Sequence, residues 1–349
     1  NITPPPHQPA QPSTHLGESG LLTHLKQYCP PEALSDDGAL LLLAPGKSAV
    51  VTTDMLVDGV HFSDRTTSAF DVGWRATAAN LSDLAAMGAE PIGITIALGL
   101  PGETPLAWVD DLYQGVTACL QAVGGVILGG DICRAPQRTV SITATGQLFP
   151  IKTLRRGGGQ PGYRLVTTGV HGAARAGLEI LLNPDAAAGL PAARQMLIEK
   201  HQRPRPRFDV LPQLWACCAQ AAITPAIAAM DSSDGLADAV VQLCQMSGTG
   251  ATLQRSRLPI PEELHRWRPD QSPDQISNQI LEWTLYGGED FELVLAMPDQ
   301  LATAFVEAVG APACIFGEMT RDRDIWLIDD INGAAPVALS QAAGFQHFG

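Results

Sequence analysis

Aspartates decide what chemistry this sequence could perform. Asp83 lies in Asn80-Leu81-Ser82-Asp83-Leu84-Ala85-Ala86-Met87-Gly88-Ala89, a small and apolar run that otherwise wants burial. A carboxylate there is costly unless a cation pairs with it, and Arg75 is the nearest basic residue on the N-terminal side. The setting recurs. Asp36-Asp37-Gly38 precedes an apolar run, Asp54 follows Val50-Val51-Thr52-Thr53, and Asp131 ends Val126-Ile127-Leu128-Gly129-Gly130. Asp231 and Asp234 flank two serines ahead of Gly235, and Glu289-Asp290 follow Gly287-Gly288. Any one of these alone reads as a turn or cap acid. Together, Asp37, Asp54, Asp83, Asp131, Asp231 and Asp234 predict a hard-cation site, because Mg²⁺ is held by a few carboxylates with phosphate oxygens and water. Several such ions on a polyphosphate would use this many acids.

The other polar signals are weaker. Gly46-Lys47-Ser48 has Leu41 where a P-loop needs glycine. Gly129-Gly130-Asp131 and Gly287-Gly288-Glu289 read as glycine turns that could turn backbone N–H groups toward an anion. Arg156, followed by three glycines, reads as a mobile phosphate clamp or as a solvated linker residue. Arg203, Arg205 and Arg207, alternating with prolines, read as a solvated surface segment. His61 is the one histidine near a candidate acid; alone it is as readily structural. No paired-histidine zinc spacing, serine-hydrolase elbow or dinucleotide glycine motif is present.

Net charge is −14, from 36 acidic and 22 basic residues, which argues against a nucleic-acid surface. No apolar run reaches membrane-spanning length. The seven cysteines show no metal or paired spacing, so a reducing, cytoplasmic setting is expected.

To position these acids, the chain of 349 residues is expected to form two domains in which strands and helices alternate. The Pro- and Gln-rich N-terminus predicts a disordered tail over 1–20. An N-terminal domain follows over 21–152, with an amphipathic helix over 21–28 and strands at 36–44, 49–53, 92–100, 126–128 and 139–148. Its other helices are expected over 69–87 and 106–123. The Gly-rich stretch after Lys152 marks the boundary. The C-terminal α/β domain, 153–349, opens with a strand at 164–168 and a helix at 169–182, and further helices are expected over 208–222, 236–246 and 301–309.

At these residues the sequence resembles the thiamine-monophosphate kinases. The resemblance rests on Ser35-Asp36-Asp37-Gly38, on Thr52-Thr53-Asp54-Met55-Leu56-Val57-Asp58-Gly59-Val60-His61-Phe62 and on the 80–89 run. It rests further on Gly129-Gly130-Asp131, Arg156 to Gly162, Arg203-Pro204-Arg205-Pro206-Arg207, Asp231-Ser232-Ser233-Asp234-Gly235-Leu236 and Gly287-Gly288-Glu289-Asp290-Phe291-Glu292-Leu293. It implies the two-domain fold of the aminoimidazole ribonucleotide synthetase superfamily, paired through N-terminal sheets in a homodimer, with ATP in a cleft between acidic loops. It implies transfer of the ATP γ-phosphate onto the phosphate of thiamine monophosphate. It assigns Asp37, Thr53, Asp54, Asp83, Asp131, Asp231 and Asp234 to Mg²⁺, with Thr52 in the same loop. Gly130, Asp131, Arg156 and Ser233 go to ATP, Asp131 and Arg156 to catalysis, and His61 and Glu289 to the thiamine substrate. The sequence departs from the pattern at Ser35, Ile132, Cys133, Tyr163 and Tyr286, and at Ala342, where the family often has an aromatic residue. Tyr286 and Ala342 keep a second reading open, a relative that phosphorylates another acceptor. A third is a non-catalytic ATP-binding protein.

Overall fold

A computed structural model describes residues 17–31, 37–187, 191–221, 226–267, 273–331 and 333–340. Asp36, Ser35, Ala342 and residues 1–16 of the expected tail lie outside these. Helix α1, Gly17–Leu25, starts four residues before the expected helix. Residues 37–44 form no strand, and the first regular extended segment is β1, Ser48–Val57. By contact density the chain divides into two compact units. One contains Thr53–Thr77, Ile92–Ala144 and the segment up to Leu42; the other contains Leu43–Thr52, Ala78–Pro91 and Thr145 onward.

A four-stranded sheet in the order β1-β4-β2-β3 is made by β1, β2 (Glu90–Leu100), β3 (Val126–Arg134) and β4 (Thr139–Leu148). Helices α2 (Ala69–Ala86) and α3 (Leu106–Val123) follow β1 and β2. In the first unit these helices approach closely at two glycines. A Cβ on Gly115 would stand 1.9 Å from the Phe70 carbonyl oxygen, and one on Gly73 2.0 Å from that of Leu112. Residue identity therefore sets the helix spacing. The run Gly129-Gly130-Asp131 is not the expected turn. It continues β3, which pairs in parallel with β2 through a register shift at Ile94/Thr95. A Cβ on Gly130 would lie 2.1 Å from the Ile96 carbonyl oxygen, so glycine lets the strands close where a turn was read. On β1, Val51 and Met55 are 64% and 55% exposed.

The second unit holds a mixed sheet in the order β11-β10-β7-β9-β5-β8-β6. Its strands are β5 (Arg164–Thr167), β6 (Ala228–Asp231), β7 (Gly250–Gln254), β8 (Leu293–Met297), β9 (Cys314–Thr320), β10 (Ile325–Ile328) and β11 (Val337–Ala338). Alternation on β8 is explicit. Val294 and Ala296 join a core with Leu236, Val240 and Leu243 of α7 (Leu236–Ser247). Leu293, Leu295 and Met297 join another with Leu214 of α6 (Leu211–Gln220) and Phe305 of α9 (Asp299–Val309). Period-2 side chains thus bury both faces, which is why β8 reads as one continuous apolar run. A third cluster joins α4 (Ala173–Leu182) to α8 (Pro273–Tyr286) through Trp267 and Trp283, with Leu197 from α5 (Pro191–Gln202). Helix α4 begins at Ala173 rather than 169, because Gly169 faces the Glu292 carboxylate and Gly172 takes a left-handed φ of 93°.

Among the described residues no helix is long and apolar enough to cross a membrane. Gly115→Ala should destabilise the protein by about 1–3 kcal/mol through overpacking at the α2–α3 crossing. Urea unfolding reads this directly, and an unchanged midpoint would show that the helices separate freely.

Candidate functional site

The second unit gathers an array of hydroxyls and carboxylates around the last turns of α2. Asn80, Leu81, Ser82, Leu84 and Ala85 are buried there, and Asp83 between them is half-buried. Thr52 on β1 donates its hydroxyl to Asp83 Oδ2. Burial pushes the Asp83 carboxyl above its ordinary range, while the Thr52 hydrogen bond and the Arg156 charge pull it back. One residue earlier on the helix, Ser82 Oγ donates to Asp231 Oδ2 at 2.6 Å. Asp231 ends β6 and is buried; its Oδ1 receives Ser233 Oγ at 3.4 Å. Adjacent positions on one helix therefore serve two acids: Asp83 as an acid, Ser82 as a donor to the other.

Arg156 is exposed but not loose. Its Nη1 donates to Gln242 Oε1 at 2.5 Å, Gln242 Nε2 donates to Asp238 Oδ2 at 2.6 Å, and the preceding residue's carbonyl, Arg155 O, accepts from Ala229 N at 2.7 Å. The expected mobile hinge is in fact tethered at β6 and α7. Asp234 is exposed in the turn that opens α7, where Gly235 adopts φ 109°.

The Gly287–Glu292 loop is tightly constrained. Gly288, Glu289 and Phe291 have φ of 66°, 60° and 51°, a left-handed conformation that non-glycine residues adopt at a cost. Its supports are equally specific. Glu289 N donates to Ser233 O at 2.7 Å, and Glu292 N to Ser232 Oγ at 3.2 Å. The Asp290 carboxylate accepts from Gly172 N at 2.7 Å and Ala174 N at 2.9 Å, closing the first turn of α4. Buried Glu292 accepts from Thr168 Oγ1 at 2.7 Å and from Arg207 Nη1. Arg207 also pairs with Asp209, so it is not the solvated cation expected, whereas Arg203 and Arg205 are exposed. The Glu289 side chain lies 3.4 Å, Oε2 to Nδ1, from buried His201.

The first unit holds the rest of the expected set. Asp131 and Gly130 are exposed on β3, opposite Ala97 and Ile96. Thr53 donates to the Ile142 carbonyl at 2.9 Å and accepts from Thr143 at 3.2 Å. Asp54, next on β1, is half-buried, and Asp37 is exposed. His61 Nδ1 accepts from Val57 N at 3.0 Å, which places its ring proton on Nε2, and its carbonyl accepts from Arg75 at 2.9 Å.

Among the described residues no three His, Cys, Asp or Glu side chains gather closely enough to hold a metal ion by themselves. The donors present are all hard oxygens, and Asp83 is a carboxylate that burial disfavours in its charged form, so a cation would relieve it. That chemistry fits Mg²⁺ held by one or two carboxylates and completed by phosphate and water.

Three residues that matter here are not among the site residues the sequence offers: Ser82 reads as helix inside a marked motif, Asp290 as the neighbour of Glu289, and His201 as the start of the Arg-Pro segment.

Two family matches cover most of the chain. The family AIR synthase related protein, N-terminal domain, matches residues 35–148, and its C-terminal domain matches residues 162–330. Thiamine-monophosphate kinase from Synechococcus elongatus is 42% identical over 335 residues, 96% of this chain and 97% of its own. The crystal structure of thiamine-monophosphate kinase from Stenotrophomonas maltophilia is 30% identical with a TM-score of 0.72, covering 86% of this chain and 91% of that one. A structure of AaThiL complexed with AMPPCP and TMP is 25% identical with a TM-score of 0.68, covering 95% and 99%.

The Asp290 carboxyl is pushed by burial up to about 7, against an ordinary 3.8. Between those values the folded protein holds a proton that the unfolded chain releases, so this group's contribution to stability is full below 3.8 and lost as pH rises through 7. Asp290→Asn should remove that dependence. Urea midpoints of the variant should improve relative to the native protein from pH 4 to pH 8, and a constant difference would contradict the assignment.

Proposed function

The chain belongs to the AIR synthase related proteins and, within them, to the thiamine-monophosphate kinases, and from that premise we propose that it transfers the γ-phosphate of ATP onto thiamine monophosphate, giving thiamine diphosphate. The observation that carries this reading is the Thr52–Asp83 and Ser82–Asp231 array beside Arg156. The attacking group is already an anionic phosphate oxygen, so no strong base is needed; the protein's task is alignment and charge neutralisation. Mg²⁺ supplies that neutralisation when bound, at Asp37, Thr53, Asp54, Asp83, Asp131, Asp231 and Asp234.

Thr52 and Ser82 hold the Asp83 and Asp231 carboxylates in fixed orientation, which keeps their outer lone pairs directed without reorganisation. Arg156, tethered through Gln242, is the cation we assign to the transferring phosphate, with Asp131 as its acidic counterpart and Gly130 and Ser233 at the nucleotide. His61 presents Nε2–H and Glu289 a carboxylate to the acceptor, whose aminopyrimidine and thiazolium groups offer a donor and a positive charge. The domain boundary we place at 152/153 falls between the two family matches. We place the enzyme in the cytoplasm and, on the exposed Val51 and Met55 of β1, assign it a homodimer through that sheet; sedimentation at the 36.9 kDa monomer mass would refute the dimer.

Incubation with ATP, Mg²⁺ and thiamine monophosphate should yield thiamine diphosphate and ADP in equal amounts. Absence of thiamine diphosphate would reject the reading, and ADP formed only with another phosphorylated acceptor would favour a differently specific relative. Asp83→Asn should lower kcat by at least about a hundredfold with the circular-dichroism spectrum unchanged. Full activity in that variant would make Asp83 structural.

A further inference from the structure

The segment His201–Arg207 has no role in the site as derived so far, yet both of its ends touch the Gly287–Glu292 loop. His201, in the last turn of α5, is 2% exposed and places Nδ1 3.4 Å from Glu289 Oε2. Arg207 Nη1 holds the Glu292 carboxylate and, at 2.8 Å, the Thr168 carbonyl. Between these ends Pro204 and Pro206 are buried while Arg203 and Arg205 face solvent. Proline fixes φ, so a buried Pro-x-Pro run sets the distance between the two end residues with little freedom. The loop it grips carries left-handed φ at Glu289 and Phe291, a conformation that persists only where surrounding contacts hold it.

We propose that His201–Arg207 is a rigid brace for the acceptor loop, and that His201 is a positioning residue which fixes the Glu289 carboxylate for the acceptor phosphorylated in the reaction. This rests on the assignment of Glu289 to the acceptor. The Glu289 side chain is 35% exposed and that of His201 3%. At this distance His201 Nδ1 forms no hydrogen bond with the carboxylate. The ring stands as a close neighbour on its protein side while the solvent side stays reachable, the arrangement required of a group that must meet a ligand in one orientation. Lys200, adjacent on α5, Glu292 and Asp290 on the loop, Arg207 on Glu292 and Arg175 beside Gly287 are charged groups of this neighbourhood. Arg207 plays the second part: it neutralises buried Glu292, so its loss would damage folding as well as the loop. His201 is therefore the position at which the brace is tested.

The test is steady-state kinetics of the full-length protein with ATP and thiamine monophosphate. His201→Ala should raise KM for thiamine monophosphate about tenfold, the loss of roughly one polar contact, with KM for ATP within twofold of native. His201→Asn, whose amide can donate from near the Nδ1 position, should recover most of that loss. In a Glu289→Ala background His201→Ala should add nothing further, because the carboxylate that His201 positions is already gone. Equal shifts of both KM values, no rescue by asparagine, or full additivity with Glu289→Ala would each overturn the brace. If His201→Ala melts below the assay temperature, the asparagine variant and the double-mutant comparison built on it carry the same decision. A native protein that makes no thiamine diphosphate fails the functional reading itself; an active native protein whose His201 variants keep native KM fails only this inference.

Discussion

The constraint on which the second unit depends is the placement of carboxylates inside helix-and-sheet packing, each bonded by a hydroxyl. Asp83 and Asp231 are set among residues that are otherwise apolar or small, and each is held by a hydroxyl: Thr52 on the one, Ser82 on the other. A hydroxyl donor stabilises a carboxylate without cancelling its charge. Such a carboxylate keeps the negative charge that the proposed Mg²⁺ ions would need. An arginine at the same distance would have stabilised the acid more and left it useless for that purpose. Arg156, exposed and tied to Gln242 instead, influences Asp83 without quenching it.

The fold follows from the need to present those side chains. Asp231 stands at the end of β6 and Asp131 within β3, each beside residues small enough for close strand or helix approach. Gly130 lets β3 close on β2, and Gly235 opens α7 immediately after the Asp231–Asp234 turn. The acids are thereby mounted on regular elements, whose positions the cores fix, rather than on long loops.

What the sequence disclosed, and what it withheld, separates along the range of the interactions. Helix α3 was legible to the residue because its apolar period runs unbroken from Leu106 to Val123 and stops at a glycine. Strand β4 was legible from alternation between turn residues. The run over 36–44 looked equally strand-like, yet its described part pairs with no strand, since strand formation needs a neighbour that local pattern cannot supply. The Gly129-Gly130-Asp131 run was misread because two glycines signal a turn locally, whereas here they accommodate the Ile96 carbonyl. Helix α5 has a polar composition and gave no periodic signal. The acids were visible as a recurring context; the hydroxyls that hold them were visible only as residues, because Ser82 and Asp231 meet across much of the chain.

The left-handed residues at Glu289 and Phe291 carry one more consequence. A loop strained in this way and tied by backbone hydrogen bonds to Ser232 and Ser233, by Asp290 to α4 and by Arg207 through Glu292 has little freedom left to surrender. Its ordering entropy is spent during folding, not at encounter. The acceptor proposed to meet Glu289 would accordingly be selected by fit to a surface already in its final shape.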